Sequence, residues 1–316
     1  MSIPVLKKII IAGATGSVGA PILTALLNEP SLDTTILTRA SSSAKFPAGV
    51  PVKTISDAYT VEELTEAFRG QDAVVVALST GPVTKDDLAF RIIDAAIAAG
   101  VKRFVPSEFG ADNLDPRARK LVPIYDAKGK MLEYLNKRAN ESNGSFTWTS
   151  FACGSWLDWA LNPAKSGNFL GIDVKNCKAT VWDSGDSKFS ITTSSNTGLA
   201  VVRALLKPAE TANQQIFLTD FVTSSNEIIS SLEKRTGEKF AVEKKESGPE
   251  LIALRKKYDE GDFNAAFGLL ALSFVADVDV GYDFPKERKI WNGQLGLPEQ
   301  SLDEVVKEAV ELANRS

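Results

Sequence analysis

The strongest constraint on what this chain can fold into lies near its start, where Lys8-Ile9-Ile10-Ile11-Ala12 runs directly into Gly13-Ala14-Thr15-Gly16-Ser17-Val18-Gly19. The apolar, largely β-branched run predicts a buried strand. Three glycines where that strand turns into a helix answer three physical needs: a tight turn, backbone close enough to touch a phosphate, and helix packed closely on strand. Free N–H groups at the helix start, reinforced by the helix dipole, favour an anion there. The spacing is Gly-x-x-Gly-x-x-Gly, a variant of the Gly-x-Gly-x-x-Gly dinucleotide fingerprint, so context has to carry the reading. That context is present: a helical run from Pro21 to Leu27 follows, and then a second strand. Gly13, Thr15, Gly16, Ser17, Val18 and Gly19 are the first candidate cofactor contacts.

The second strand, Thr34 to Thr38, ends in Arg39. In a dinucleotide-binding unit the residue about 20 positions beyond the glycines selects the cofactor: an acid bonds the ribose hydroxyls, whereas a base accepts a 2′-phosphate. Arg39 stands at that distance from Gly19, no acid occupies the strand end, and Ser41, Ser42, Ser43 and Lys45 follow. A cation among hydroxyls suits a phosphate monoester, which favours NADP over NAD. A solvated surface arginine is the plainer alternative.

Strand and helix continue to alternate. Val52–Ile55, Gln71–Leu78, Val101–Val105 and Ser145–Phe151 read as strands, while Thr60-Val61-Glu62-Glu63 reads as a capping box opening a helix. Leu88–Ala99 is a helix stopped by Gly100, Asp112–Lys120 reads as a loop, and Tyr125–Leu135 has helical spacing. Ligands of an open α/β sheet lie beyond the carboxyl ends of its strands, so Ser79, Thr80, Pro106, Ser107, Glu108 and Phe109 belong to the cofactor rim.

The fold class expected is α/β: a Rossmann-type, doubly wound parallel sheet with a smaller, interleaved α/β substrate-binding domain. Residues 1–152 form the dinucleotide-binding part, with later returns near 196–220 through a helix from about Asn196 to Leu206 and a strand at Gln215–Leu218. Residues 153–316 are mainly the substrate side, with a short strand at Lys178–Trp182. Its helices are expected near Ser224–Arg235, Pro249–Asp259, Phe263–Phe274 and Ser301–Ala313.

Composition narrows the chemistry. The chain has no histidine, which removes Ser-His-Asp, Cys-His and His-ligated zinc mechanisms together and leaves proton transfer to Lys, Tyr, Asp, Glu or water. Cys153 and Cys177 form neither a Cys-x-x-Cys pair nor a disulfide framework, and no metal site is expected. With 36 basic against 40 acidic residues there is no charge excess that calls for nucleic acid. The opening Met1 to Lys8 lacks the apolar core of a signal peptide and no stretch is long and apolar enough for a membrane span, so a cytoplasmic protein, monomer or homodimer, is expected.

Together these residues resemble the NmrA-like branch of the atypical short-chain dehydrogenases, close to the isoflavone reductase and phenylcoumaran benzylic ether reductase group. The resemblance rests on Gly-Ala-Thr-Gly-x-x-Gly at 13–19, Arg39 with Lys45, Arg-Phe-Val-Pro-Ser-Glu-Phe-Gly at 103–110, and Tyr125-x-x-Lys128, with a weaker echo at Thr147 to Cys153. It implies NADPH at the glycine turn, Arg39 and Lys45 on its 2′-phosphate, and a lysine beside the nicotinamide that serves catalysis. That lysine is Lys128 by the resemblance; on the residues alone Lys130 is a rival. Tyr125 lines the pocket or orients the lysine, although three residues is not the Tyr-x-x-x-Lys spacing of ordinary short-chain dehydrogenases. In plant reductases of this group an asparagine often precedes the cysteine matching Cys153; here Ala152 stands there, so a contact through that amide is not expected.

Phe109, Cys153, Trp156 and Trp159 are the candidate substrate contacts. Trp148, Trp156, Trp159, Trp182 and Phe169 offer flat apolar walls suited to an aromatic molecule, and Trp156 and Trp159 share one face of a helix by spacing. The resulting expectation is an NADPH-dependent reductase of a small aromatic or heterocyclic substrate. Two alternatives stand beside it: a non-catalytic NADP-sensing regulator, and an NADP-bound enzyme of cyclisation or isomerisation without net redox change.

Overall fold

The computed structural model describes residues 5–166 and 168–315; residues 1–4, part of the segment read above for a leader, lie outside them. The first half alternates β1 (Lys8–Ala12), α1 (Gly19–Leu27), β2 (Asp33–Arg39), β3 (Val52–Ile55), α2 (Val61–Phe68) and β4 (Ala73–Val76). It continues with α3 (Thr80–Lys85), α4 (Leu88–Ala98), β5 (Arg103–Val105), α5 (Pro116–Leu121), α6 (Pro123–Glu141) and β6 (Thr147–Ala152). The second half runs through α7 (Leu157–Ala160), β7 (Ile172–Asp173), β8 (Lys178–Trp182), β9 (Phe189–Ile191), α8 (Ser194–Leu205), β10 (Gln214–Phe217) and β11 (Phe221–Thr223). After these come α9 (Ser225–Thr236), β12 (Ala241–Lys245), α10 (Ser247–Asp259), α11 (Asn264–Val275), α12 (Phe284–Glu287), α13 (Asn292–Leu295) and α14 (Leu302–Arg315).

Seven strands pair in parallel in the order β10-β6-β5-β4-β1-β2-β3. Ile11 lies opposite Ile36 on one side and Val75 on the other. The sheet is covered on both faces, which is why its strands read as unbroken apolar runs. Ile9 and Ile11 pack with Ile22 and Leu26 of α1 and Val201 of α8, whereas Ile10 packs the opposite way, against Phe68, Ile92 and Leu132. Strand order reverses between β1 and β4, and the crevice at their carboxyl ends is the binding position of such a sheet. The remaining strands form a β9–β11 antiparallel pair and a β7–β8–β12 sheet, over a third core built on Phe189, Ile228, Leu232 and Phe284.

Local signals explain most boundaries. Thr60 accepts from the Glu63 N–H at 3.2 Å, while the Glu63 carboxylate turns back to Ser56, taking its N–H at 3.1 Å and its hydroxyl at 2.5 Å. The expected loop at Asp112–Lys120 is corrected: Asp115 caps α5 by accepting from the Arg117 N–H at 2.8 Å, and Pro116 opens the helix. Strand β12 leaves no signal in its own sequence, because its exposed residues carry no apolar pattern and it forms by parallel pairing with β8.

At the amino end of β5, Arg103 is wholly enclosed. It donates to the hydroxyls of Thr147, Thr149 and Thr211, each at 2.9 Å, and to the Pro208 carbonyl at 2.6 Å. Burial lowers its pKa to about 10, and its hydrogen-bond acceptors are all neutral. Among the described residues no helix is long and apolar enough to cross a membrane.

Candidate active site

The glycine turn is as tight as its spacing demands. Gly13 has φ of +83°, and a Cβ there would lie 2.3 Å from the Ala77 carbonyl oxygen; at Gly19 it would lie 1.9 Å from that of Gly13. Thr15, Gly16 and Ser17 are exposed and Val18 is buried beneath them. Backbone with this access at the start of α1 suits a pyrophosphate.

Arg39 is half-exposed at the end of β2, and Lys45 is exposed in the following loop. The structure adds an acid that local sequence did not reveal. Asp57, just beyond β3, lies 3.7 Å from Arg39 and accepts the Ser41 N–H at 3.2 Å and the Ser41 hydroxyl. The signal for it is sheet adjacency, since β3 pairs with β2 through Arg39 and Ile55.

A cavity of about 610 Å³ opens from this crevice, a size ordinary for a small-molecule site. Gly16, Ser17 and Val18 of the glycine turn line it together with Ser79, Thr80 and Ser107. Ser107 donates to the Leu78 carbonyl at 2.8 Å and so ties the rims of β5 and β4 together. Pro106 is buried off the cavity wall.

The far walls are aromatic. Trp156 precedes α7 in extended backbone and Trp159 lies within it, so the two do not share a helical face as expected. Their rings meet edge-on at 6.5 Å, and Phe169 meets Trp159 at 5.5 Å. Trp156 Nε1 donates to Thr197 at 3.1 Å, which fixes the ring on α8. Phe109, expected as a substrate contact, lines the cavity and stacks on the buried Phe151. Helix α11 contributes Phe267, Leu270 and Phe274, which sequence reasoning missed. Such a helix is apolar almost all round, so nothing local says which residues face a cavity. Two expected wall residues are elsewhere: Trp148 packs in the core beneath α4 and α6, and Trp182 lies on β8 under Lys245.

Cys153 also needs correction as a substrate contact. It is wholly buried off the cavity wall, its N–H bonded to the Gly110 carbonyl at 2.9 Å and its thiol set beside Thr197 and Trp156. Burial pushes the thiol up to about 12, so it remains protonated.

Lys128 and Tyr125 both reach the cavity from α6. Lys128 is 8 % exposed, and burial lowers its pKa against the opposing pull of Glu108. Its sequence rival Lys130 points outward to Asp126 at 2.7 Å. Tyr125 accepts from the Tyr282 hydroxyl at 2.9 Å, and Tyr282 shares a 2.7 Å bond with Ser273. Burial holds the Tyr125 phenol well above its ordinary pKa, so it stays neutral in this setting.

Residues 6–267 match the model of the NmrA-like family. The chain is 34 % identical over 300 residues to the oxidoreductase aprR of Aspergillus flavus, covering 95 % of this chain and 97 % of that protein. Its fold is similar to that of a crystal structure of isoflavone reductase, with a TM-score of 0.71 and 22 % identity over 96 % of this chain and 99 % of the other. The leucoanthocyanidin reductase of Vitis vinifera in binary complex with NADPH gives 0.72 at 19 % identity, over 96 % and 99 %. The arrangement of glycine turn, Pro-Ser-Glu-Phe-Gly rim and cavity lysine is thus that of a chain belonging to the NmrA-like family.

Proposed function

We propose that this protein is an NADPH-dependent reductase of a small aromatic or heterocyclic molecule, acting in the cytoplasm as a monomer or homodimer. The observation that carries the reading is one cavity lined at once by the glycine turn, by Lys128 and by the aromatic side chains. The Gly13–Gly19 turn would hold the pyrophosphate, Ser79, Thr80 and Ser107 the path toward the nicotinamide, and Arg39 with Lys45 the 2′-phosphate. The kinship of the Vitis vinifera reductase that binds NADPH supports this cofactor. When bound, NADPH supplies a hydride to a C=C, C=N or benzylic ether carbon.

The chain's own residues do the rest. Trp156, Trp159, Phe169 and Phe274 receive a flat acceptor, orient it and exclude water. Lys128 gives or takes the accompanying proton at Nζ, a task suited to an amine whose pKa burial has lowered. Tyr125 stays a neutral wall group. Residues 1–152 serve mainly the cofactor and 153–316 mainly the acceptor. The test is absorbance at 340 nm with purified protein, NADPH and a panel of aromatic enones, imines and benzylic ethers. Oxidation of NADPH with one chemical class is expected; none with any class overturns the reading.

A further inference from the structure

A buried chain of hydroxyls, to which the reductase reading gives no task, ends on the cavity wall. Its members are Ser273 of α11, Tyr282 beyond that helix and Tyr125 of α6, all enclosed. The Tyr282 hydroxyl donates to that of Tyr125 at 2.9 Å and lies 2.7 Å from that of Ser273. Ser273 Oγ in turn lies 2.7 Å from the Leu270 carbonyl oxygen. Of the three hydroxyl residues, Tyr125 lines the cavity.

The second half of the chain fixes Tyr282 where it meets Tyr125. Its ring stacks on Phe274 with centroids 4.2 Å apart and planes 4° from parallel, and its carbonyl accepts the Ser190 N–H at 2.9 Å. The residue before it is Gly281, with φ of +72°, where a Cβ would lie 2.6 Å from Arg117 Nη2. Arg117 binds Asp115 at 2.7 Å and Asp279 at 2.8 Å, which clamps the loop carrying Tyr282 to the start of α5.

Three hydroxyls bring three hydrogens to four contacts: Leu270 with Ser273, Ser273 with Tyr282, Tyr282 with Tyr125, and Tyr125 with whatever the cavity holds. With Tyr282 donating to Tyr125, the hydrogen of Tyr125 has no acceptor among the described residues, and Ser273 completes the chain by donating to Tyr282. A hydroxyl that accepts one hydrogen bond donates more strongly in the next, so the end of the chain is a strengthened donor. Donation needs a neutral phenol, the form in which burial keeps Tyr125.

We propose that Tyr282, backed by Ser273, is a positioning residue that turns the Tyr125 O–H toward the cavity as a donor for a carbonyl or ether oxygen of the substrate. The inference rests on the reductase reading, which puts the substrate in this cavity, and it narrows the substrate to aromatic molecules that carry such an oxygen. Tyr125 and Lys128 are one turn apart on α6 and both line the cavity, so the donor and the proton carrier share a helical face. A site built around a buried donor discriminates against an analogue that leaves the donor unpaired.

The experiment compares two flat probes on the full chain loaded with NADP⁺: benzylideneacetone, and the hydrocarbon in which a methylene group replaces its ketone oxygen. Quenching of tryptophan fluorescence gives both affinities. The wild type is expected to prefer the ketone by about tenfold or more. Tyr282→Phe keeps the ring on Phe274 and should cut that preference by about threefold or more with hydrocarbon binding unchanged, while Tyr125→Phe should abolish it. The infrared carbonyl band of bound, ¹³C-labelled benzylideneacetone should rise in frequency in Tyr282→Phe and further in Tyr125→Phe, a shift that loosened packing alone does not produce. No preference in the wild type, absence of binding counting as none, overturns the proposal; so do a preference and a carbonyl band unmoved in Tyr282→Phe. Should Tyr282→Phe fail to fold, Ser273→Ala leaves Tyr282 in place and carries the same test with a smaller expected loss. Binding needs no turnover, so a preference kept without NADPH oxidation counts against the reductase reading alone, and a preference absent beside active turnover counts against this inference alone.

Discussion

Arg103 and Lys128 are both buried cations near β5, one at its amino end and one beyond its carboxyl end, and their surroundings differ completely. Arg103 spends its guanidinium on four neutral oxygens. Lys128 faces an open cavity, and Glu108, the acid whose charge opposes the loss of its proton, keeps one carboxylate oxygen without a hydrogen-bond partner among the described residues. A satisfied buried cation fixes structure, because removing it strands the acceptors around it. An incompletely satisfied one is free to change its protonation state, and that is what proton transfer requires.

The largest expected effect is at Lys128. Lys128→Ala should lower kcat by about 10²- to 10⁴-fold while leaving NADPH affinity and the melting temperature close to wild type. Stopped-flow hydride transfer and a thermal melt measure both, and retained kcat would break the contrast from its functional side. Arg103→Met should do the opposite: about 2–4 kcal/mol less stable in urea, with unchanged kcat per folded molecule. A stable but inactive Arg103→Met would break it from the structural side.

Arg39 is a third cation, half-exposed and paired among the described residues with Asp57. Arg39→Ala should weaken NADPH at least tenfold and NADH hardly at all, measured by calorimetry; equal losses would remove Arg39 from the 2′-phosphate. The smallest effect is on the pH dependence of stability. Burial lifts the Glu108 carboxyl to about 8 in the folded chain, above its ordinary 4.5. The native state thus binds more protons than the unfolded chain between those values, and stability contributed by Glu108 falls as pH rises through that window. Urea midpoints at pH 5 and pH 8 should converge in Glu108→Gln relative to wild type, and an unchanged difference would show that Glu108 is not the source.

Much of this is legible in the residues alone. Strands such as Ile9–Ile11 and Val74–Val76 announce themselves because burial on both faces demands unbroken apolar residues. Gly13 announces its turn because no other residue fits there. What stayed hidden depends on distant pairing. Asp57 reaches Arg39 only through the register of β2 and β3, and Tyr282 meets Tyr125 across 157 residues. The apolar side chains of α11 divide between core and cavity in a way that its own sequence does not encode. Cys153 shows the converse: its place beside the site in sequence does not put its thiol on the cavity wall.

The anchoring of Arg103 also bears on how the protein can be cut or made. Two of its four acceptors, Thr211 and the Pro208 carbonyl, belong to the α8–β10 connection, and β10 covers the outer edge of β6. A fragment ending at residue 152 would carry every glycine and rim residue assigned to the dinucleotide. It would also expose an unpaired parallel edge and leave the guanidinium half-solvated, a state prone to association. During synthesis the first half must wait for more than sixty further residues before its sheet can close, so the chain is committed as one cooperative unit rather than as a cofactor module with an attachment.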